Sequence, residues 1–245
     1  MFKGCIKLEI APDLPALELS YSCYSSMFRR TKLTNCPILP ATKLATYCYS
    51  YMFAETPIQE MPSLPKIPSS SSYEGMFMDC TNLDIESNRN VTFDVRNSDC
   101  CREMFMGCTS LTKAPKIESG TVGQNACLSM FEGCISLTTA PELSSMTLLP
   151  GGSNHTFGMN YAYMFKNCTS LTEAPELPAT ELTMGCYLGM FYNCTSLTKA
   201  PSILPAITFT DRYANYYDLT SCYEDMFYNC INLVKAPELP ALILT

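Results

Sequence analysis

The dipeptide Met-Phe occurs nine times in this chain, at Met1, Met27, Met52, Met76, Met104, Met130, Met164, Met190 and Met226. Successive copies lie 26, 25, 24, 28, 26, 34, 26 and 36 residues apart. A period near 25–26 residues that survives insertions constrains the fold more than any composition does. It marks a repeat architecture in which each unit buries its apolar face only against its neighbours. The expectation is a single solenoid over residues 1–245 rather than one or two globular domains.

Neither end reads as a polar capping unit. Met1-Phe2-Lys3-Gly4-Cys5 is the second half of a repeat, and Ala236-Pro237-Glu238-Leu239-Pro240-Ala241 stops part-way through one. The chain is therefore expected to be a fragment of a longer protein lacking both caps, with ends open to end-to-end self-association. No signal peptide is legible. No apolar run approaches the roughly 18 residues of a membrane-spanning helix, so direct membrane insertion of this segment is not expected. The net charge of −7 argues against nucleic acid as the partner. Apolar residues at 47% and charged ones at 16% suit a continuous narrow core under a weakly charged surface.

The cleanest unit runs Cys186-Tyr-Leu-Gly-Met190-Phe-Tyr-Asn-Cys194-Thr-Ser-Leu197-Thr-Lys-Ala200-Pro201. Across the chain the pattern is C-Y-x-x-M-F-x-x-C-T-S-L-T-x-A-P-x-L-P-A-T-x-L. Cys, Met and Phe at relative positions 0, 4 and 5 share one face of a short predicted helix. Asn or Gly just before the second Cys suits a left-handed residue at that helix's C-terminal turn. The Leu-Thr-x-Ala stretch is short and extended, and the following Pro ends ladder pairing. Each unit thus predicts a short helix, a tight turn, a short parallel strand and a Pro-bearing return. Stacked at the usual ~4.8 Å, the strands would form a sheet roughly 40 Å long on one face, with the helices on the other. Phe at Met+1 and the row Leu8, Leu33, Ile58, Leu83, Leu111, Leu137, Leu171, Leu197 and Leu233 would form the core.

These residues resemble a known family. M-F-x-x-C-x-S-L followed by a Pro-terminated strand is similar to the BspA-like leucine-rich repeats of bacterial surface proteins, with their aromatic-x-x-Cys-x-x-Leu core. The resemblance covers the whole chain. It departs from the commoner version in having Met before Phe, and Ala-Pro in place of a longer aliphatic strand. It implies a leucine-rich-repeat solenoid, an α/β repeat of about nine units. It also implies an extracellular, cell-surface setting and adhesion to a host or partner surface protein or glycan. Similar repeats occur in gut-phage tail proteins, so a phage receptor-binding component is an alternative. A structural spacer, or the targeting module of a larger surface protein, is another.

The 15 cysteines follow the repeat. Seven sit at Met+4 and five at Met−4, with Thr31 and Thr56 filling the first slot in two units. Free Cys behaves as a small buried hydrophobe, so reduced core ladders are expected over disulfides. No C-x-x-C occurs and the chain has one His, so no metal site and no cofactor are expected. That residue, His155, lies in the inserted Pro150-Gly-Gly-Ser-Asn-His155-Thr-Phe-Gly158 and reads as an exposed loop side chain, which leaves nucleophilic catalysis unsupported. No phosphate-binding glycine motif is present. Glu142, Glu173, Glu176 and Glu238 fall one per strand or turn and are expected to share no cleft. The chain is read as non-enzymatic.

Insertions in a solenoid become loops on one edge, often the binding side. Three intervals carry them. Asp84–Arg96 contributes Arg89 and Arg96, the second insertion contributes His155, and Thr208–Asp218 contributes Phe209, Asp211, Arg212, Tyr213, Tyr216, Tyr217 and Asp218. Tyr and Arg favour recognition hot spots, though these aromatics could equally cover the local core. On the strand face, Lys113, Thr139, Glu173, Lys199 and Lys235 occupy the variable position before Ala and could serve as a readout row or simply face solvent. Tyr24, Tyr49, Tyr73, Tyr161, Tyr187 and Tyr223 recur at Met−3 and read as a structural ladder.

Overall fold

A computed structural model describes residues 1–85, 91–144, 147–151, 158–179, 181–204, 208–209 and 219–239. Its core is the Met-Phe repeat made physical. The nine phenylalanines of the Met-Phe pairs, from Phe2 to Phe227, stack ring upon ring with centroids 5.5–5.8 Å apart and planes within 12°. Leu33, Ile58, Leu83, Leu111, Leu137, Leu171 and Leu197 run beside them, fully buried. The successive units are therefore stacked rungs.

The predicted helices do not form. Among the described residues the one helical element is a four-residue 3-10 turn, Leu219–Cys222. In place of each helix lies a chain of overlapping β-turns. In the second rung Cys23, Ser25, Met27, Arg29 and Thr31 each donate N–H to the carbonyl three residues back. The residues between them, Ser22, Tyr24, Ser26, Phe28 and Arg30, donate to Thr46, Cys48, Ser50, Met52 and Ala54 of the next rung at 2.8–3.1 Å. Alternate amides thus close turns within a rung or tie that rung to its neighbour, and few main-chain groups are left over.

The backbone accommodates this by placing every fourth residue in the left-handed region. Ser22, Ser26 and Arg30 have φ near 54–61°, as do Asp99 and Glu103 near 53–54°, with Gly107 at 72°. The Asn or Gly before the second Cys is left-handed as expected, at Asn167 and Asn193 for example. Two further left-handed positions per rung, at Met−5 and Met−1, went unpredicted. For a non-glycine residue the conformation costs about 1–2 kcal/mol. The amide of each such residue in the second rung bonds to the third, which offsets that cost. At Gly75 and Gly189 glycine is also required for space. A Cβ there would lie 2.2 Å and 2.5 Å from the rings of Tyr51 and Tyr163 in the preceding rung.

The continuous sheet is also corrected. Strands are two residues long: β1 Thr92–Phe93, β2 Lys116–Ile117, β3 Thr121–Val122, β4 Thr147–Leu148, β5 Glu181–Leu182 and β6 Thr208–Phe209. They pair in parallel as β1–β2, β3–β4 and β5–β6, supplemented by isolated bridges. Pro at the Ala-Pro step removes a ladder donor in rung after rung, which keeps these pairings short.

Cysteine chemistry follows from the turns. All 15 cysteines are in the thiol form, and all but Cys5, Cys23 and Cys36 are buried. The Met+4 thiols donate to the Phe carbonyl of the preceding rung: Cys108 to Phe77, Cys134 to Phe105 and Cys168 to Phe131, each at 3.1 Å. Thr31 and Thr56 use their hydroxyls on the Phe carbonyl of their own rung. Burial pushes the thiols of Cys108, Cys127 and Cys168 well up, so they stay protonated. The Tyr ladder is structural, with Tyr49, Tyr73, Tyr161 and Tyr187 at most 1% exposed. No helix among the described residues is long and apolar enough to cross a membrane.

Candidate binding groove on the strand face

The turn segments run without interruption through the stack, but the strand face does not. Lys113 bridges Thr139 and Ile117 bridges Leu143, joining the fifth and sixth rungs. Glu173 bridges Lys199, joining the seventh and eighth. Among the described residues no bridge forms between Thr139 and Glu173 or between Leu143 and Leu177. On the opposite side the same two rungs stay closed, with Phe131 donating to Met164 and Gly133 to Lys166 at 2.9 and 2.8 Å.

The result is a groove of about 600 Å³, lined by residues 138–144 and 172–176. That volume lies within the roughly 300–1,000 Å³ typical of ligand clefts. Its apolar floor includes buried Pro141 and Leu143 with half-buried Ala174 and Pro175. Its rim carries Thr138, Thr139, Thr172 and three exposed carboxylates, Glu142, Glu173 and Glu176. The expectation that these acids share no cleft is overturned. The two Ala-Pro-Glu-Leu segments face each other across the gap, while further along the same rungs β4 still lies beside β5.

The rim charges have uneven partners. Glu173 takes a salt bridge from Lys199 at 3.2 Å, and Glu176 accepts from the Ser202 N–H and hydroxyl at 2.8–3.1 Å. Glu142 has no ion-pair or hydrogen-bond partner among the described residues. Among the described residues no cationic side chain lines the groove.

A buried amide holds the spine together beside the gap. Asn160 stands at Met−4, where five other rungs carry Cys, and is fully buried. Its side-chain nitrogen lies 2.9–3.0 Å from the carbonyls of Val122, Gly123 and Leu149. Its side-chain oxygen accepts from the Thr183 hydroxyl. This one residue therefore ties together segments of three rungs. Sequence reasoning passed over it, although an Asn in a cysteine slot was the available signal.

The sequence-derived candidates fall into three groups. Lys113, Thr139, Glu173, Lys199 and Lys235 are all exposed on the strand face. The structure brings the first four together as two bridged pairs, and Glu173 with Lys199 is mutually neutralised. Arg96 turns back on Asp94 with a bidentate contact, and that hydrogen bonding holds the Asp94 carboxyl below the usual carboxylate range. Phe209 lies in β6. Arg89, His155, Asp211, Arg212, Tyr213, Tyr216, Tyr217 and Asp218 lie outside the described residues. Among the described residues no group of three His, Cys, Asp or Glu side chains could hold a metal ion.

No family model matches the sequence, and no curated protein matches it. Among solved structures the chain is similar to a leucine-rich repeat protein from Bacteroides ovatus ATCC 8483, at 16% identity and a TM-score of 0.41. The match covers 90% of this chain and 50% of that one, so the chain spans about half the length of that protein. A superposition this loose carries no inference about activity or ligand. The architecture rests on the rung-to-rung contacts described above.

Proposed function

We propose that this chain is a non-enzymatic binding module of the leucine-rich-repeat type. In this reading it acts at the cell surface and presents its strand face and inserted segments to a protein or glycan. The single observation that carries the reading is the strand-face groove between the sixth and seventh rungs. It is an open, polar-rimmed cleft mounted on a spine held by bonds from rung to rung. Rigid scaffolds with variable open edges are how repeat proteins recognise partners. A catalytic reading finds little support, because the deeply buried thiols are held protonated. The motif resemblance to BspA-like repeats points the same way.

The test is binding of the purified chain to arrays of extracellular-matrix proteins and glycans. It is run beside a variant shortened over residues 208–218 and beside Glu142→Lys/Glu173→Lys. A saturable hit lost in either variant supports the reading and places the contact. No hit with any protein or glycan would count against it and favour a spacer.

A further inference from the structure

We infer that the groove between the sixth and seventh rungs is a docking slot for an extended, cationic peptide segment of a partner chain, added as a strand. The inference deepens the binding reading above and rests on it.

The first observation is the state of the two edges. Each flanking segment is bonded on its outer side. Thr138 donates to Thr112 at 3.1 Å, while Ala174 donates to Lys199 at 2.9 Å and Thr198 to Thr172 at 2.9 Å. On the inner side the equivalent bonds are missing. Among the described residues Ala140 N–H has no bond to Glu173, nor Thr172 N–H to Thr138. Among the described residues two short parallel edges therefore face one gap with main-chain groups that do not bond across it. An extended chain is the ligand form that supplies alternating N–H and C=O groups at matching spacing. A sugar or small molecule would leave part of that row unpaired.

The second observation is charge. Glu142, Glu173 and Glu176 rim the slot, and among the described residues no cationic side chain lines it and Glu142 has no counter-charge, while Glu173 is paired with Lys199 outside it. The chain as a whole carries −7. A strand bearing Lys or Arg at alternate positions would set its charges against these carboxylates. Its intervening apolar side chains would then lie over Pro141, Leu143 and Pro175. An acidic strand would meet like charges at close range, which disfavours it.

The probe is a fluorescein-labelled octapeptide of alternating Lys and Val, titrated by anisotropy against the whole chain. Its companions are a Glu-Val octapeptide and a Lys-Val octapeptide with N-methylated backbone. Saturable binding of Lys-Val alone is expected, weakened at least about tenfold in Glu142→Lys/Glu173→Lys. Both substituted residues are exposed, so the variant should fold, and an unchanged circular dichroism melt will check that. Equal binding of the N-methylated peptide would overturn strand addition and leave a merely electrostatic contact. Lys-Val binding unaffected by the double substitution would place the peptide elsewhere and overturn the assignment. Array hits without peptide binding would overturn the slot and leave the binding reading standing. Silence in both assays would overturn both. Peptide binding that appears only after residues 149–158 are shortened would make the chain's own segment the occupant, which also overturns the proposal.

Discussion

The turn spine and the strand face are made of the same rungs, yet they respond differently to an insertion. On the spine, each rung is tied to the next through alternate amides, a stacked Phe ring and, in most rungs, a thiol. It passes the 34-residue interval intact, with Phe131 and Phe165 still stacked at 5.7 Å. The strand face is held by two-residue strands and isolated bridges, and it opens at the same place. Redundant contacts make a rigid axis. A sparse ladder with proline at its edge makes a surface that an insertion can reshape without unfolding the stack. A binding module needs both properties.

The largest expected effect comes from the spine. Phe131→Ala removes a ring stacked on both sides and should cost about 3–5 kcal/mol. Leu143→Ala, at 7% exposure on the open edge of the groove, should fall at or below the low end of about 2–5 kcal/mol. Equal losses in chemical denaturation would erase the distinction between the two regions. Asn160→Ala comes next. It strips a shared donor from three carbonyls and should cost about 1–3 kcal/mol, read as a lower urea midpoint with unchanged slope.

Smaller effects sharpen the account of the spine. Cys134→Val keeps the size but loses the thiol bond to Phe105, and should cost about 1 kcal/mol. Cys134→Thr should cost less, because Thr31 and Thr56 already occupy this slot with a hydroxyl bonded to a Phe carbonyl. If Val were the better tolerated, the thiol would be packing alone. The smallest effect is electrostatic. A hydrogen bond from Arg30, with further help from Arg29, holds the Glu55 carboxyl below its usual range. Its contribution is present above the unfolded carboxylate value and is lost as pH falls through the depressed folded value. Glu55→Gln should therefore lower the stability slightly near pH 7, by less than about 1 kcal/mol, with no difference in strong acid. Glu74 has the opposite sign. Burial raises it, so its contribution is present below the unfolded value and lost as pH rises through the folded one.

Much of this architecture was legible because the repeat is written in side chains. The nine Met-Phe pairs located the Phe ladder, and the aliphatic row and buried cysteines followed from their fixed offsets. The tandem turns were missed for a local reason. Cys, Met and Cys at spacings of four fit a helical face nearly as well as a chain of turns. The deciding signal was Ser, Asn, Asp or Gly recurring at Met−5, Met−1 and Met+3, and it is diluted by Tyr47, Tyr51, Glu103 and Met159. The groove was missed because Glu142 and Glu176 carry no motif. They come together only because the rungs separate, a property of spacing between units that no single unit displays.

Hydrogen–deuterium exchange, resolved at single amides, tests the contrast most directly. The account predicts strong protection at Phe131 and Gly133, which cross the insertion on the spine. It predicts protection also at Thr138 and Ala174, bonded on the outer sides of the groove. Ala140 and Thr172, which face the gap, should exchange orders of magnitude faster. Protection of Ala140 and Thr172 equal to that of Ala174 would mean that the strand face is closed, and would contradict the account.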